Sequence, residues 1–257
     1  MNNASVGILL VGRLGSSRLR GKLLLEVLGL PIVQHTAQRL LRASSCSAVV
    51  MCTTTDTADD ALAEIWSNTP VKVFRGCPND PFKRMLACAE EYGFSHFIYA
   101  GADDVLLDPE LCDFLAARVS ITSADMSLME NIVCGFTPFL FSTSAARRLV
   151  ETVHGDITIP EKYMKDMEEF TVDEVPVTGF EHLARPEIRA TLDYAEDFEF
   201  FKAVISSLYP QNPSYSNRDV MEFLNAHPEV VAMNMDKHTE WAAKQAKEYK
   251  KHRELQF

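Results

Sequence analysis

No stretch of the 257-residue chain approaches the roughly 18 consecutive apolar residues that a membrane-spanning helix requires. The start, MNNASVGILLVGRLGSS, carries no basic region ahead of its apolar run and meets glycine and arginine within a few positions, so a secretory leader is not expected. The six cysteines, at 46, 52, 77, 88, 112 and 134, include no Cys-x-x-Cys pair, and no histidine stands at zinc spacing from them. Neither a zinc motif nor a disulfide framework is therefore expected, and the cytoplasm is the natural compartment. Positive charge is short too: 25 Lys and Arg face 36 Asp and Glu, a net charge of −11. Such a field repels a phosphate backbone, which argues against nucleic acid as a partner but not against a small anion held in a local basic site. There is no internal repeat and no low-complexity segment.

What remains is an apolar content of 47%, enough in a chain of this length for one large α/β domain spanning residues 1–257. VGILLV at 6–11 reads as a strand that stops at Gly12, and a helical pattern of Ile32, Val33, Thr36 and Leu40 opens behind Pro31. A second strand at 48–52, a helix around 61–66, a third strand at 71–74, a helix over 82–91 and a fourth strand at 96–100 repeat the unit. Strand then helix at this spacing predicts a doubly wound, mostly parallel sheet with helices on both faces and ligands at the carboxyl ends of the strands. Residues 125–185 break the rhythm with short apolar pieces, an acidic span and several prolines, and read as an inserted lobe. The α/β style resumes with IRATLD, which would bring a second carboxylate, Asp193, to the site if its strand returned beside the fourth, followed by helices at 195–208 and 217–226. The tail, 236–257, is rich in helix formers and weakly amphipathic, a helical appendage.

The loop after the first strand sets Arg13, Arg18, Arg20 and Lys22 among Gly12, Gly15, Gly21, Ser16 and Ser17. Glycines let backbone N–H groups come close to an anion, arginines match phosphate oxygens two at a time, and lysine adds a mobile charge. The composition is that of a polyphosphate cradle, although Gly-Lys is not followed by Ser or Thr as in the Walker pattern; the competing reading is a solvated basic loop. Asp103 and Asp104 close the fourth strand, Asp108 follows, and Asp193 ends IRATLD. A carboxylate facing a triphosphate suits magnesium, while each aspartate taken alone reads more readily as a loop or cap residue. The seven histidines are isolated and read by default as structural, His154 and His182 being the two considered for contact with an acceptor.

The segments VGRLGSSRLRGK and GLPIVQHTAQRL, then VVMCTTTDTADD, VKVFRGCPNDPFKRML, FIYAGADDVLLDPE and IRATLDYAEDFEFFKAV, taken in order, resemble the cytidylyltransferases that make CMP-sugars. The resemblance is strongest to the spore-coat polysaccharide protein F branch, related to the CMP-sialate and CMP-deoxyoctulosonate synthetases, and covers about residues 1–110 and 188–205. It implies a Rossmann-like, GT-A-like nucleotidyltransferase fold and a magnesium-dependent transfer of CMP from CTP to an acceptor, with release of pyrophosphate. It assigns Arg13, Gly15, Ser16, Ser17, Arg18 and Lys22 to the triphosphate and Thr53, Thr54, Thr55, Asp56, Arg75 and Arg84 to framing the cytidine. Asp103 and Asp193 become the metal ligands, and Arg13, Lys22 and Asp103 the catalytic set. It also implies a homodimer formed through 125–185, with Leu128, Met129, Ile132, Phe136, Phe139 and Phe141 supplying the apolar contacts; the competing reading is a self-contained lobe that buries those side chains internally.

The chain departs from the family pattern at the acceptor. The fourth strand reads Tyr99-Ala100-Gly101-Ala102-Asp103 without the family's arginine and threonine, Phe139 stands where an acidic residue is common, and PEKYMK replaces Arg-Glu-His-Val-Thr. An acidic sugar or a small phosphonate or phosphate is the expected acceptor. A nucleotide-sugar-dependent glycosyltransferase and a silent nucleotide-binding protein are the competing readings; the first leaves the GSSRLRGK cluster without a purpose.

Overall fold

The structure, a computed structural model, describes residues 5–16 and 18–256. Nine strands occur among them: β1 (Val6–Val11), β2 (Glu26–Val27), β3 (Leu30–Pro31), β4 (Ala48–Thr54), β5 (Lys72–Gly76), β6 (His96–Gly101), β7 (Met126–Met129), β8 (Phe139–Ser142) and β9 (Val172–Val175). All but β2 and β3 form one sheet in the order β5-β4-β1-β6-β8-β7-β9. The pairs from β5 to β6 are parallel, β8 runs antiparallel to both its neighbours, and β9 is parallel to β7.

Every residue of β1 is buried, as a strand covered on both faces demands. Because side chains alternate, Ile8 and Leu10 enter one core and Leu9 and Val11 the other. Helices α1 (Ile32–Leu40), α2 (Asp60–Glu64), α4 (Pro109–Arg118), α7 (Ala195–Leu208) and α8 (Asn217–Ala226) pack on the first face; α3 (Pro81–Glu91), α5 (Thr143–Thr152) and α6 (Pro160–Asp166) cover the second. Two more helices, α9 (Pro228–Val231) and α10 (Met235–Gln256), complete the chain. The α7 and α8 boundaries coincide with those read from the sequence. Val11 is in register with both Cys52 and Gly101, so the loops after β1, β4 and β6 open along one edge. The chain leaves β1 for β4 on one side and reaches β6 on the other, which makes that edge a topological switch point.

Two expectations need correction. Residues 125–185 do not stand apart from the sheet: β7, β8 and β9 extend it, and the antiparallel β8 is what breaks the βαβ rhythm. Leu128, Met129, Ile132, Phe136 and Phe141 are correspondingly at most 5% exposed within one chain, so these side chains fill the core and only Phe139 is partly exposed. IRATLD is not a strand beside β6. Its segment makes a single bridge, Cys134 with Arg189, while the Ala190 and Leu192 amides donate to Cys134 O (2.7 Å) and Asp103 O (2.8 Å). Asp108 is a helix cap: its carboxylate accepts from the Glu110 amide at the start of α4. The reading of Asp as a cap residue holds there. No helix among the described residues is long and apolar enough to cross a membrane.

Candidate active site at the carboxyl edge of the sheet

The basic loop is seated by its neighbours. An added Cβ on Gly12 would lie 2.7 Å from both Ala102 Cβ and Leu23 Cδ1, so only glycine passes between β6 and the turn after the loop. Asp59, 3% exposed, accepts from the Leu14 amide at 2.6 Å and from the Thr54 hydroxyl, fixing the loop to the end of β4. Gly21, at φ +64°, turns the chain into a short 3-10 helix that aims Lys22 inward.

A cleft of about 320 Å³ follows this loop. Arg13, Gly15, Ser16, Arg18, Lys22, Arg84 and Asp103 line it, opposite Pro78 and Asn79; Ser17 lies outside the described residues. Arg13 donates to Pro78 O (3.2 Å) and the buried Arg84 to Cys77 O (2.7 Å). Thr53, Thr54, Thr55, Asp56 and Arg75 do not line it. Thr53 and Thr54 are buried in β4, and Asp56 caps the turn at Thr57–Asp59. Arg75 braces that turn by donating to Thr54 O (2.8 Å) and Asp56 O (2.7 Å), and it pairs with Asp60 at 2.6 Å. These residues shape the wall behind the loop.

Asp103 and Asp193 come together although they are 90 positions apart. Lys22 Nζ donates to Asp103 Oδ2 (2.7 Å), Asp193 Oδ1 (3.0 Å) and Leu192 O (2.5 Å). Arg18 also reaches Asp193 Oδ1, and Arg189 reaches Oδ2 at 3.0 Å. Burial alone would raise the Asp193 pKa; the Lys22 charge and the hydrogen bonds from Arg18 and Lys22 outweigh it and hold the carboxyl down at about 2. Burial likewise works against the Lys22 ammonium, and Asp103 with Asp193 more than restores it. Burial, followed by the Asp103 charge, lifts Asp104 to about 8.

Behind Asp193, Asp197 accepts from Arg189 Nε (3.0 Å) and from the amides of Asp193 (2.8 Å) and Tyr194 (2.9 Å). This buried hub at the start of α7 shapes the 189–194 segment, and sequence reasoning missed it. Asp59 was missed too, although TADD sat within a matched segment. Asp59 receives an amide from 45 positions away, a pairing that one-dimensional spacing does not reveal, whereas Asp197 stands three residues after Tyr194 at the spacing of a capping box, a signal the sequence did carry.

A second cleft, of about 330 Å³, adjoins the first and shares Arg18, Tyr99, Asp103 and Thr158 with it. Its walls carry Asp104, Phe139, Glu161, Lys162, Asp193 and Trp241. Glu161 and Trp241 escaped the sequence reading, and neither His154 nor His182 lines this cleft. For a divalent cation, the relevant observation is that Asp103 and Asp193 converge on one point, since a single ammonium contacts both. Among the described residues no cluster of three or more ligating side chains exists. Two carboxylates completed by phosphate oxygens and water suit magnesium, so the residues fit.

Residues 8–202 match the cytidylyltransferase family. The chain is 25% identical over 230 residues to the spore coat polysaccharide biosynthesis protein SpsF of Bacillus subtilis, covering 85% of this chain and 93% of that one. It is 29% identical over 117 residues to the 3-deoxy-manno-octulosonate cytidylyltransferase of Chlorobaculum parvum, covering 44% and 45%. Among solved structures, a cytidylyltransferase from Leptospira borgpetersenii superposes with a TM-score of 0.79 at 25% identity, covering 89% of this chain and 97% of that one. With the family match spanning three-quarters of the sequence and the basic loop and paired aspartates at the sheet's carboxyl edge, the chain belongs to the cytidylyltransferase family and is a nucleotidyltransferase.

Proposed function

We propose that this protein transfers CMP from CTP to a small acceptor in the cytoplasm, with magnesium, releasing pyrophosphate. The observation that carries the reading is the pair of adjoining clefts that meet at Arg18 and Asp103, one walled by the basic loop and the other largely free of it. In the first, Arg13, Ser16, Arg18 and Lys22 hold the triphosphate, while Arg84 and the Pro78 to Pro81 turn frame the cytidine. Asp103 and Asp193 hold the metal, which supplies charge neutralisation at the phosphates. An acceptor oxygen entering from the second cleft attacks the α-phosphorus in line. The new O–P bond forms as the bond to the bridging oxygen breaks, and that electron pair leaves on pyrophosphate, whose charge Arg13, Arg18 and Lys22 balance.

All six cysteines are free thiols, in keeping with a reducing compartment. A homodimer, if the resemblance extends to it, has to use a surface other than the buried side chains first assigned to it; sedimentation at micromolar concentration tests for it. The catalytic reading is tested by pyrophosphate release with CTP and magnesium across a panel of acceptors, alongside the melting temperature with CTP. Turnover and thermal stabilisation by CTP are expected. Stabilisation by a nucleotide-sugar with manganese, and none by CTP, would transfer the reading to a glycosyltransferase.

A further inference from the structure

The second cleft is poorly built for an anion. Four of its residues are carboxylates, Asp103, Asp104, Glu161 and Asp193, and two are cations, Arg18 and Lys162. Arg18 is already committed to Asp193. Magnesium would engage Asp103, where the two clefts meet, and Asp193, which lines the second. Glu161 remains, on the far wall at the start of α6, with no ion pair among the described residues. Burial raises its pKa to about 7, against the opposing hydrogen bond from its own backbone amide and the charges of Lys162 and Lys165.

Aromatic rings line the same cleft. Tyr99 on β6 and Phe139 on β8 are direct cross-strand partners, with ring centroids 6.0 Å apart and nearly parallel planes. Trp241 adds a third ring from α10, beyond the segment that matches the family. Ring faces carry partial negative charge and attract cations, most strongly where water is excluded. The fold already uses the same affinity next door, where the Arg189 guanidinium lies 5.2 Å from the Trp241 ring and 5.7 Å from that of Tyr194. A sugar carboxylate placed here would face Glu161 and Asp104, with Lys162 the one cation of the lining besides Arg18.

We infer that the acceptor is a small molecule with a nucleophilic oxygen at one end and an ammonium group at the other, the ammonium seated against Glu161, Tyr99, Phe139 and Trp241. The inference rests on the cytidylyl-transfer reading and deepens it by naming the acceptor class. A phosphorylated or phosphonylated alkylamine satisfies it. Its oxyanion enters at the Arg18 and Asp103 end and attacks the α-phosphorus with no proton to remove, while its cationic end neutralises the carboxylate on the far wall.

The decisive comparison is between phosphocholine and 3,3-dimethylbutyl phosphate, which differ by one quaternary nitrogen replaced by carbon. Binding is measured by calorimetry in the presence of magnesium and the α,β-methylene analogue of CTP, and turnover is measured with CTP. Phosphoethanolamine against propyl phosphate repeats the contrast for a primary amine, and 3-deoxy-manno-octulosonate serves as the acidic sugar. Preference for the ammonium compound by roughly tenfold or more is expected in at least one of the two pairs. Glu161→Gln and Trp241→Leu should each bring the two members of that pair together. Equal binding within both pairs, or tighter binding of the acidic sugar, overturns the inference. A clear ammonium preference in binding with no pyrophosphate from any acceptor would support this inference and remove the catalytic reading, so the two fail separately.

Discussion

The ammonium of Lys22 lies 2.7 Å from Asp103 Oδ2, so the cation assigned to the triphosphate and the carboxylate assigned to the metal neutralise one another across the cleft. A magnesium–triphosphate ligand has to part them, giving phosphate to the lysine and metal to the aspartate. Asp103→Asn should lower kcat by about 100-fold or more, in the range found when a single charge-stabilising group is lost. It should leave the circular dichroism spectrum and melting temperature nearly unchanged, because the side chain is 35% exposed and fills no core. Near-normal turnover at limiting magnesium would remove Asp103 from the metal site.

Lys22→Ala is expected to raise the KM for CTP and lower kcat together, since the ammonium follows the phosphates into the transition state. Arg75→Ala, which loosens only the brace behind the loop, should raise KM by less and leave kcat close to normal. Steady-state kinetics on both variants separates the assignments, and equal losses in kcat would bring Arg75 back into the cleft.

Asp59 offers a test of how the basic loop is held. Its removal in Asp59→Ala strands the Leu14 amide and the Thr54 hydroxyl, with an expected destabilisation of about 1–3 kcal/mol. Because the loop follows, the KM for CTP should rise as well. A stability loss with unchanged KM would show that the loop is positioned by its glycines alone.

Glu161 links pH to stability. Its folded-state pKa of about 7 lies above the unfolded value of 4.5. Between those values the folded chain keeps a proton that the unfolded chain has lost, so its contribution is most favourable below pH 4.5 and fades as the pH rises through 7. Glu161→Gln should therefore stabilise the protein at pH 8 by about 1–3 kcal/mol, less than the full shift implies because the side chain is only half-buried. At pH 5 little gain is expected. Denaturant unfolding at the two pH values decides the point; an equal gain at both would trace the effect to packing.

Gly135 stands at φ +93°, where an added Cβ would lie 2.1 Å from Ala190 O. Gly135→Ala should cost roughly 2 kcal/mol or more, from backbone strain and the displacement of the segment that carries Asp193. A fall in both melting temperature and turnover is expected. A stable, fully active variant would mean that Asp193 tolerates movement and is not a ligand held by geometry.

The sequence by itself determined the parallel half of the sheet, the α7 and α8 limits, and the composition of the phosphate loop. These rest on local signals: apolar runs, helix caps, and glycine with arginine concentrated between Gly12 and Lys22. Tertiary structure alone decided the rest. Strands β7, β8 and β9 are four residues each, too short for periodicity to reveal, and their pairing with β6 turned an expected subunit interface of Leu128, Ile132 and Phe136 into core. The segment ending in Asp193 reaches Asp103 through one amide and a shared lysine, not through a strand ladder. Glu161 and Trp241 come to line one cleft with Tyr99 only when α6 and α10 dock, because burial and charge in a cleft depend on distances between elements that no spacing along the chain records.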